Sequence, residues 1–282
     1  MDSCRYTFIL DALVRQHRAA LFVGPTGTGK SVYIQSHLQS GLPEAYLQMN
    51  LTFSAQTSAN MTQDIVDGNL DKRRKGVYGP PVGHRMVVFV DDLNMPQVEV
   101  YGAQPPVELL RQWMDHGGWC ACCTLLLAHL SMCWCRLLFH MSFPTPVPES
   151  KVFCRYDRKE LTFRRLDDIQ FVAAMGPPGG GRNAVTNRYA RHFSVVSVTA
   201  FDVNNLSIIF TSLVDWWLRK YSYGAALAKL SKQLVAATLD IYLRCQSELL
   251  PTPAKSHYTF NLRDVSKVVQ GVTAAAVYTE LS

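Results

Sequence analysis

Residues Gly24-Pro25-Thr26-Gly27-Thr28-Gly29-Lys30-Ser31 constrain this chain more than any other stretch. They satisfy the pattern G-x-x-x-x-G-K-[ST] at every fixed position. Three glycines let the backbone turn tightly and approach a ligand. Successive N–H groups then form an anion-binding nest, reinforced by the N-terminus of a following helix. Lys30 is placed to reach a β- or γ-phosphate, and the Ser31 hydroxyl to ligate Mg²⁺. Ala20–Val23 upstream is a short apolar run and Ser31–Gln39 downstream reads as a helix, the strand–loop–helix setting that the pattern requires.

The chain has 282 residues, 48% hydrophobic and 18% charged, so it can bury the core of a large α/β domain or of a domain plus a smaller one. A net charge of +6 is too mild to argue for nucleic acid. Six of the eight cysteines lie between Cys120 and Cys154, which is not a disulfide framework, and the thiols are expected to be reduced.

Arg5–Arg15 carries apolar positions at helical spacing and leads into the first strand. Gly41-Leu42-Pro43 breaks the chain, Ala45–Leu51 reads as a second strand, and Thr57 or Ser58 caps a helix over Gln63–Leu70. The basic cluster Asp71–Gly76 reads as a solvated charged loop. Met86–Val90 is a run of five apolar residues, the mark of a strand buried on both faces in a parallel sheet. Asp91 and Asp92 end that strand, where open α/β sheets bind ligands. Beside a phosphate loop, Asp91 is expected to hold Mg²⁺ through its water shell, and Asp92 to orient or deprotonate the attacking water. Pro105–Trp113 reads as a helix ended by Gly117-Gly118.

Cys120–Arg155 does not fit. As a membrane span it is interrupted by His129, Arg136 and His140, and as a zinc site its cysteines lack paired C-x₂-C spacing. The preferred reading is an insertion foreign to the fold, such as translated intron, forming a poorly packed surface excursion. Joining Trp119 to Tyr156 leaves a smooth polar hairpin.

Asp168–Met175 reads as another buried strand, followed by a Gly-rich loop, Gly176–Asn183, that can face a ligand. Asn187–Arg191 is a turn of helix and His192–Ser197 a fifth strand. From Phe201 the pattern is helical, over Leu206–Leu218, Gly224–Leu243 and Leu262–Val272. The expected fold is therefore an α/β core over residues 1–200 (120–155 as the insertion) and a small helical domain over 201–282.

These residues together resemble the AAA+ ATPases and, more closely, the third AAA+ module of an axonemal dynein heavy chain. The stretches that carry the resemblance are Gly24–Ile34, Phe53–Pro81, Val87–Trp119, Asp168–Asn183 and Phe260–Gly271. The resemblance implies a three-layer αβα core with a five-stranded parallel sheet, followed by a helical lid that is truncated here. It makes Gly24–Ser31 the Walker A loop holding ATP and Asp91-Asp92 the Walker B acids. Arg263, in Asn261-Leu262-Arg263-Asp264, becomes the lid's sensor-2 arginine, and Arg188 or Arg191 the arginine finger for a neighbouring module's site. Two positions depart from the pattern: Asp92 stands where fast ATPases carry Glu, and Gly176 where many AAA+ proteins carry the sensor-1 Asn. A base misplaced by about 1 Å can lose on the order of 100-fold in rate. The implied role is thus an ATP- and Mg²⁺-binding module that gates a microtubule motor, with weak or slow hydrolysis; the alternative is a truncated, inactive assembly fragment. The implied partners are neighbouring AAA+ modules and, only through the full heavy chain, dynein light and intermediate chains and microtubules. No nucleic-acid or membrane partner is expected, and the implied location is the cytoplasm, cytoskeleton and ciliary axoneme.

Overall fold

A run of five apolar residues can sit in a strand only if both faces are covered. Met86–Val90 does so within β5 (Arg85–Asp91), every one of the five being 5% exposed or less. Alternation sends Met86, Val88 and Val90 into one hydrophobic cluster and Val87 and Phe89 to the opposite face. The structure, a computed structural model, describes residues 2–100, 102–119, 164–179, 181–221, 225–249 and 260–279. These fall into two compact units: Met1–Val23 with Lys30–Ser197, and Gly24–Gly29 with Val198–Ser282.

In the first unit five strands form one parallel sheet in the order β2-β5-β8-β1-β9, with β1 Ala20–Val23, β2 Tyr46–Thr52, β8 Ile169–Met175 and β9 Ser194–Ser197. Helices cover both faces. On one side are α1 (Asp2–Arg15) and α2 (Lys30–Ser40), joined by stacked Tyr6 and Tyr33. On the other are α3 (Ala59–Gly68) and α4 (Pro105–His116), where Trp113 meets Phe171 of β8 edge-on at 4.5 Å. The three-layer core with five parallel strands expected above is what forms. Local signals set the ends. Ser58, rather than Thr57, caps α3 by accepting from the Met61 N–H. Pro105 opens α4, and Gly117 closes it at φ 68°, a left-handed value that glycine adopts without strain.

One expectation is corrected. Asp71–Gly76 is solvated but is not all loop: Asp71–Arg74 is strand β3, turned at Gly76 (φ 77°) into an antiparallel pairing with β4 (Val77–Gly79). The charges are compatible with a strand because Asp71, Lys72 and Arg74 stay exposed to water while Arg73 finds partners. Arg73 pairs with Asp168 and donates to the Pro80 carbonyl at 3.0 Å. The small sheet β3-β4-β7-β6 is completed by β7 (Arg164–Leu166) and β6 (Gly118–Trp119), whose antiparallel register places Trp119 opposite Arg164. The expectation of a surface excursion over 120–155 lies outside the described residues.

Among the described residues, the second unit holds three helices. In α6 (Val203–Lys220), Leu206, Phe210, Val214 and Leu218 recur every four residues along one stripe. They pack with Val235 and Leu239 of α7 (Ala225–Glu248) and Val265 of α8 (Leu262–Thr279). The short helix α5 (Asn187–Ala190) belongs to the first unit and packs on α4.

Candidate functional site

The acidic end of β5 is built by the sheet. Asp91, half-buried, closes the strand in register with Thr52 of β2. The chain then bends sharply. Asp92 takes φ 50°, its N–H donates to the Asp91 Oδ1 at 3.0 Å, and the Leu93 N–H returns to the Ala174 carbonyl of β8 at 3.1 Å. Two steps on, Asn94 is 1% exposed and its side-chain amide donates to the Gly176 carbonyl at 2.9 Å. The acids and the end of β8 are thereby fastened to each other.

The loop after β8 folds back on itself. Gly179 and Arg182 exchange backbone hydrogen bonds of 2.9 and 3.1 Å, a tight turn that requires the positive φ of Gly179 (118°) and Gly181 (85°). Asn183 then anchors the returning strand to the Asn94 carbonyl through its N–H and to the Pro96 carbonyl through its side chain. This hairpin delivers Arg182 to Asp92, with Nη2 to Oδ1 at 3.2 Å.

Lys30 opens α2 and is 8% exposed. Burial holds its ammonium below the usual lysine range and the positive charge of Arg182 pushes the same way, while Asp91 and Asp92 oppose them. Lys30, Asp91 and Asp92 thus lie near enough to act on one another electrostatically, and Arg182, which sequence reasoning missed, joins them. Ser31 follows Lys30 and is half-buried.

The glycine part of the loop groups with the second unit. A side chain at Gly24 would strike the Val198 carbonyl at 2.4 Å, and one at Gly27 would come within 3.2 Å of the Leu262 nitrogen. Gly27 and Gly29 both have positive φ, 80° and 76°, the alternation that turns backbone N–H groups to one side. Thr28 is 7% exposed and its hydroxyl donates to the Pro25 carbonyl at 3.0 Å, bracing the loop; Pro25 and Thr26 are exposed. Where the loop touches Leu262, α8 begins with a capping pair: Asn261 accepts from the Arg263 N–H, and Asp264 accepts from the Asn261 N–H. Arg263 is exposed on the first turn of that helix, next to the residue that Gly27 touches.

The two arginine-finger candidates differ in setting. Arg191 is paired with Asp115 at 2.8 Å, in a cluster with Arg111 and His192. Arg188 is exposed on α5. Burial pushes the Asp115 carboxyl up, but bonds from Arg191 and Arg111 and the proximity of His192 outweigh it and hold it below the usual carboxylate range.

A family model described as "P-loop containing dynein motor region" matches residues 1–132 and 151–201, and one described as "Dynein heavy chain, ATPase lid domain" matches residues 214–281. The chain is 46% identical over 98% of its length to dynein axonemal heavy chain 1 of Rattus norvegicus, covering 6% of that protein. It is 46% identical over 96% of its length to dynein axonemal heavy chain 12 of Rattus norvegicus, covering 8%. To dynein axonemal heavy chain 3 of Homo sapiens it is 45% identical over 96%, covering 6%. The chain thus spans less than a tenth of these relatives, and it belongs to the dynein heavy chain family, matching its P-loop motor region and its ATPase lid.

Proposed function

We propose that this chain is a nucleotide-binding regulatory module of an axonemal dynein ring, the third of the series, which binds Mg·ATP and hydrolyses it slowly. The observation that carries the reading is the buried Lys30 ammonium at the head of α2, held among Asp91, Asp92 and Arg182. A buried cation following a glycine nest fits a phosphate, and a hydroxyl with a carboxylate fits a hard cation that takes its remaining oxygens from phosphate and water. Among the described residues no three His, Cys, Asp or Glu side chains cluster as a metal cage, so Ser31 and Asp91 would hold Mg²⁺ together with the nucleotide's own oxygens. Bound Mg·ATP supplies the electrophilic terminal phosphorus and the metal's charge.

The chain's own residues then divide the work. Gly24–Gly29 and the Lys30 ammonium cradle the phosphates; Asp92 orients the attacking water. Arg263, at the start of the lid helix beside Gly27, is suited to read the phosphate side of the ligand. Arg188 suits the trans-acting finger better than Arg191, whose guanidinium is engaged by Asp115 within the module. The shorter Asp92 favours a gate over a fast engine. In this reading the microtubule, the other ring modules and the light and intermediate chains are engaged through the whole heavy chain in the ciliary axoneme, where dyneins of the matched relatives' type belong. No helix among the described residues is long and apolar enough to cross a membrane.

Binding of a fluorescent ATP analogue with Mg²⁺ to the 282-residue chain tests the proposal. The wild type is expected to bind, and Lys30→Ala to lose about tenfold or more in affinity, the worth of a charge-assisted phosphate contact. Equal affinity in both, or binding in neither, overturns it and leaves a catalytically inactive assembly piece.

A further inference from the structure

Gly176 ends β8 at the place where a polar side chain was expected, and the space that its missing side chain leaves is filled. A Cβ there would lie 2.7 Å from Cδ, 2.8 Å from Nε and 3.0 Å from Cζ of Arg182. The guanidinium lies across the glycine and reaches Asp92 through Nη2. Its Nε is buried and, among the described residues, has no hydrogen-bond acceptor. A charged donor left without an acceptor in the interior is costly, and the fork formed by Nε and an Nη matches two oxygens of one phosphate or carboxylate. Two cations, Lys30 and Arg182, close enough to repel one another also leave this spot fitted for an anion beyond the two aspartates.

On the reading of Lys30 and Asp91 as the Mg·ATP site, we infer that Arg182 is the specificity-determining cation of that site. Its unfilled donor takes a terminal-phosphate oxygen while its Nη2 holds Asp92 in place. Gly176 is then no loss. It is the opening through which an arginine from the neighbouring hairpin replaces the expected amide, giving the site a full charge where an amide offers a dipole. The consequence is discrimination: a triphosphate gains this contact and a diphosphate does not.

Equilibrium binding of fluorescent ATP and ADP analogues, each with Mg²⁺, to the 282-residue chain reads this directly. The wild type is expected to favour ATP by about tenfold or more. Arg182→Ala brings the ratio close to one while ADP affinity stays within about threefold; Arg182→Lys recovers part of the preference. Gly176→Ala, whose methyl group evicts the Arg182 side chain from outside the hairpin, reproduces Arg182→Ala. Thermal unfolding of the ligand-free proteins separates this from a fold defect, since a merely structural arginine moves both affinities together. An unchanged ATP-to-ADP ratio in Arg182→Ala and Gly176→Ala, or no preference in the wild type, overturns the inference alone. A wild type that binds neither analogue overturns the functional reading and this one with it.

Discussion

Across 82 residues of sequence, the Asn94 side-chain amide donates to the Gly176 carbonyl at 2.9 Å, joining the turn after β5 to the end of β8. Asn94 is 1% exposed, so water cannot replace the bond when it is lost. Asn94→Ala is expected to destabilise the protein by about 1–3 kcal/mol in denaturant unfolding. The exposed Gln39→Ala is expected to stay within about 0.5 kcal/mol. Equal midpoints for the two variants would show that the bond contributes nothing.

Gly27 and Gly83 separate backbone strain from crowding. Both have positive φ, 80° and 91°, but a methyl at Gly27 meets the Leu262 nitrogen at 3.2 Å, whereas one at Gly83 meets nothing within 4 Å. Gly83→Ala is expected to cost about 1–2 kcal/mol, the left-handed penalty alone. Gly27→Ala is expected to cost more than this and to weaken binding of an ATP analogue, which Gly83→Ala leaves unchanged. Calorimetric melting and analogue titration of both variants check the contrast.

Asp115 gives the stability of this module a pH dependence. Its folded carboxyl lies below an unfolded value of about 3.9, so the unfolded chain binds the proton more readily. The stabilisation is therefore fully present above the unfolded value and drains away as the pH falls through the folded one. Asp115→Asn is expected to lose about 1–2 kcal/mol at neutral pH. Its gap from the wild type should close as the pH falls through the folded value. Unfolding curves of both proteins across that range decide it, and a gap independent of pH would rule out the ion-pair origin.

The pairing of Trp119 with Arg164 brings the two ends of the 120–163 stretch side by side. The matched family model omits residues 133–150 but spans 120–132 and 151–155, so the stretch foreign to the family is shorter than the 120–155 expected from the sequence. Joining Trp119 to Tyr156 leaves residues 156–163 to close the hairpin, within the usual reach of a loop. The excised protein is expected to fold with a melting temperature within about 3 °C of the parent and with unchanged affinity for the ATP analogue. A collapse of the melting transition would assign the removed residues to the core.

The parts that could be read from the sequence are those whose physics is local. Met86–Val90 announces a doubly covered strand by composition alone, and Gly24–Ser31 announces its loop by glycine spacing. The β3 strand was hidden because Lys72, Arg73 and Arg74 carry a solvent signature; it is held by its ladder with β4 and by the pairing of Arg73 with Asp168. Arg182 was hidden for a related reason. The one available cue was a single cation closing a run of glycines after a buried strand. Its position depends on a reversal at Gly179–Arg182 and on the space above Gly176, both properties of the assembled backbone.

The left-handed φ of Asp92 bears on which acid can stand at the end of β5. Aspartate and asparagine enter that region several-fold more readily than most residues, because a short polar side chain can bond to its own backbone surroundings. A longer acid at this bend would gain reach but forfeit conformational ease. The geometry of the bend and the identity of the acid are thus coupled: the kink favours the one-methylene arm over a longer one.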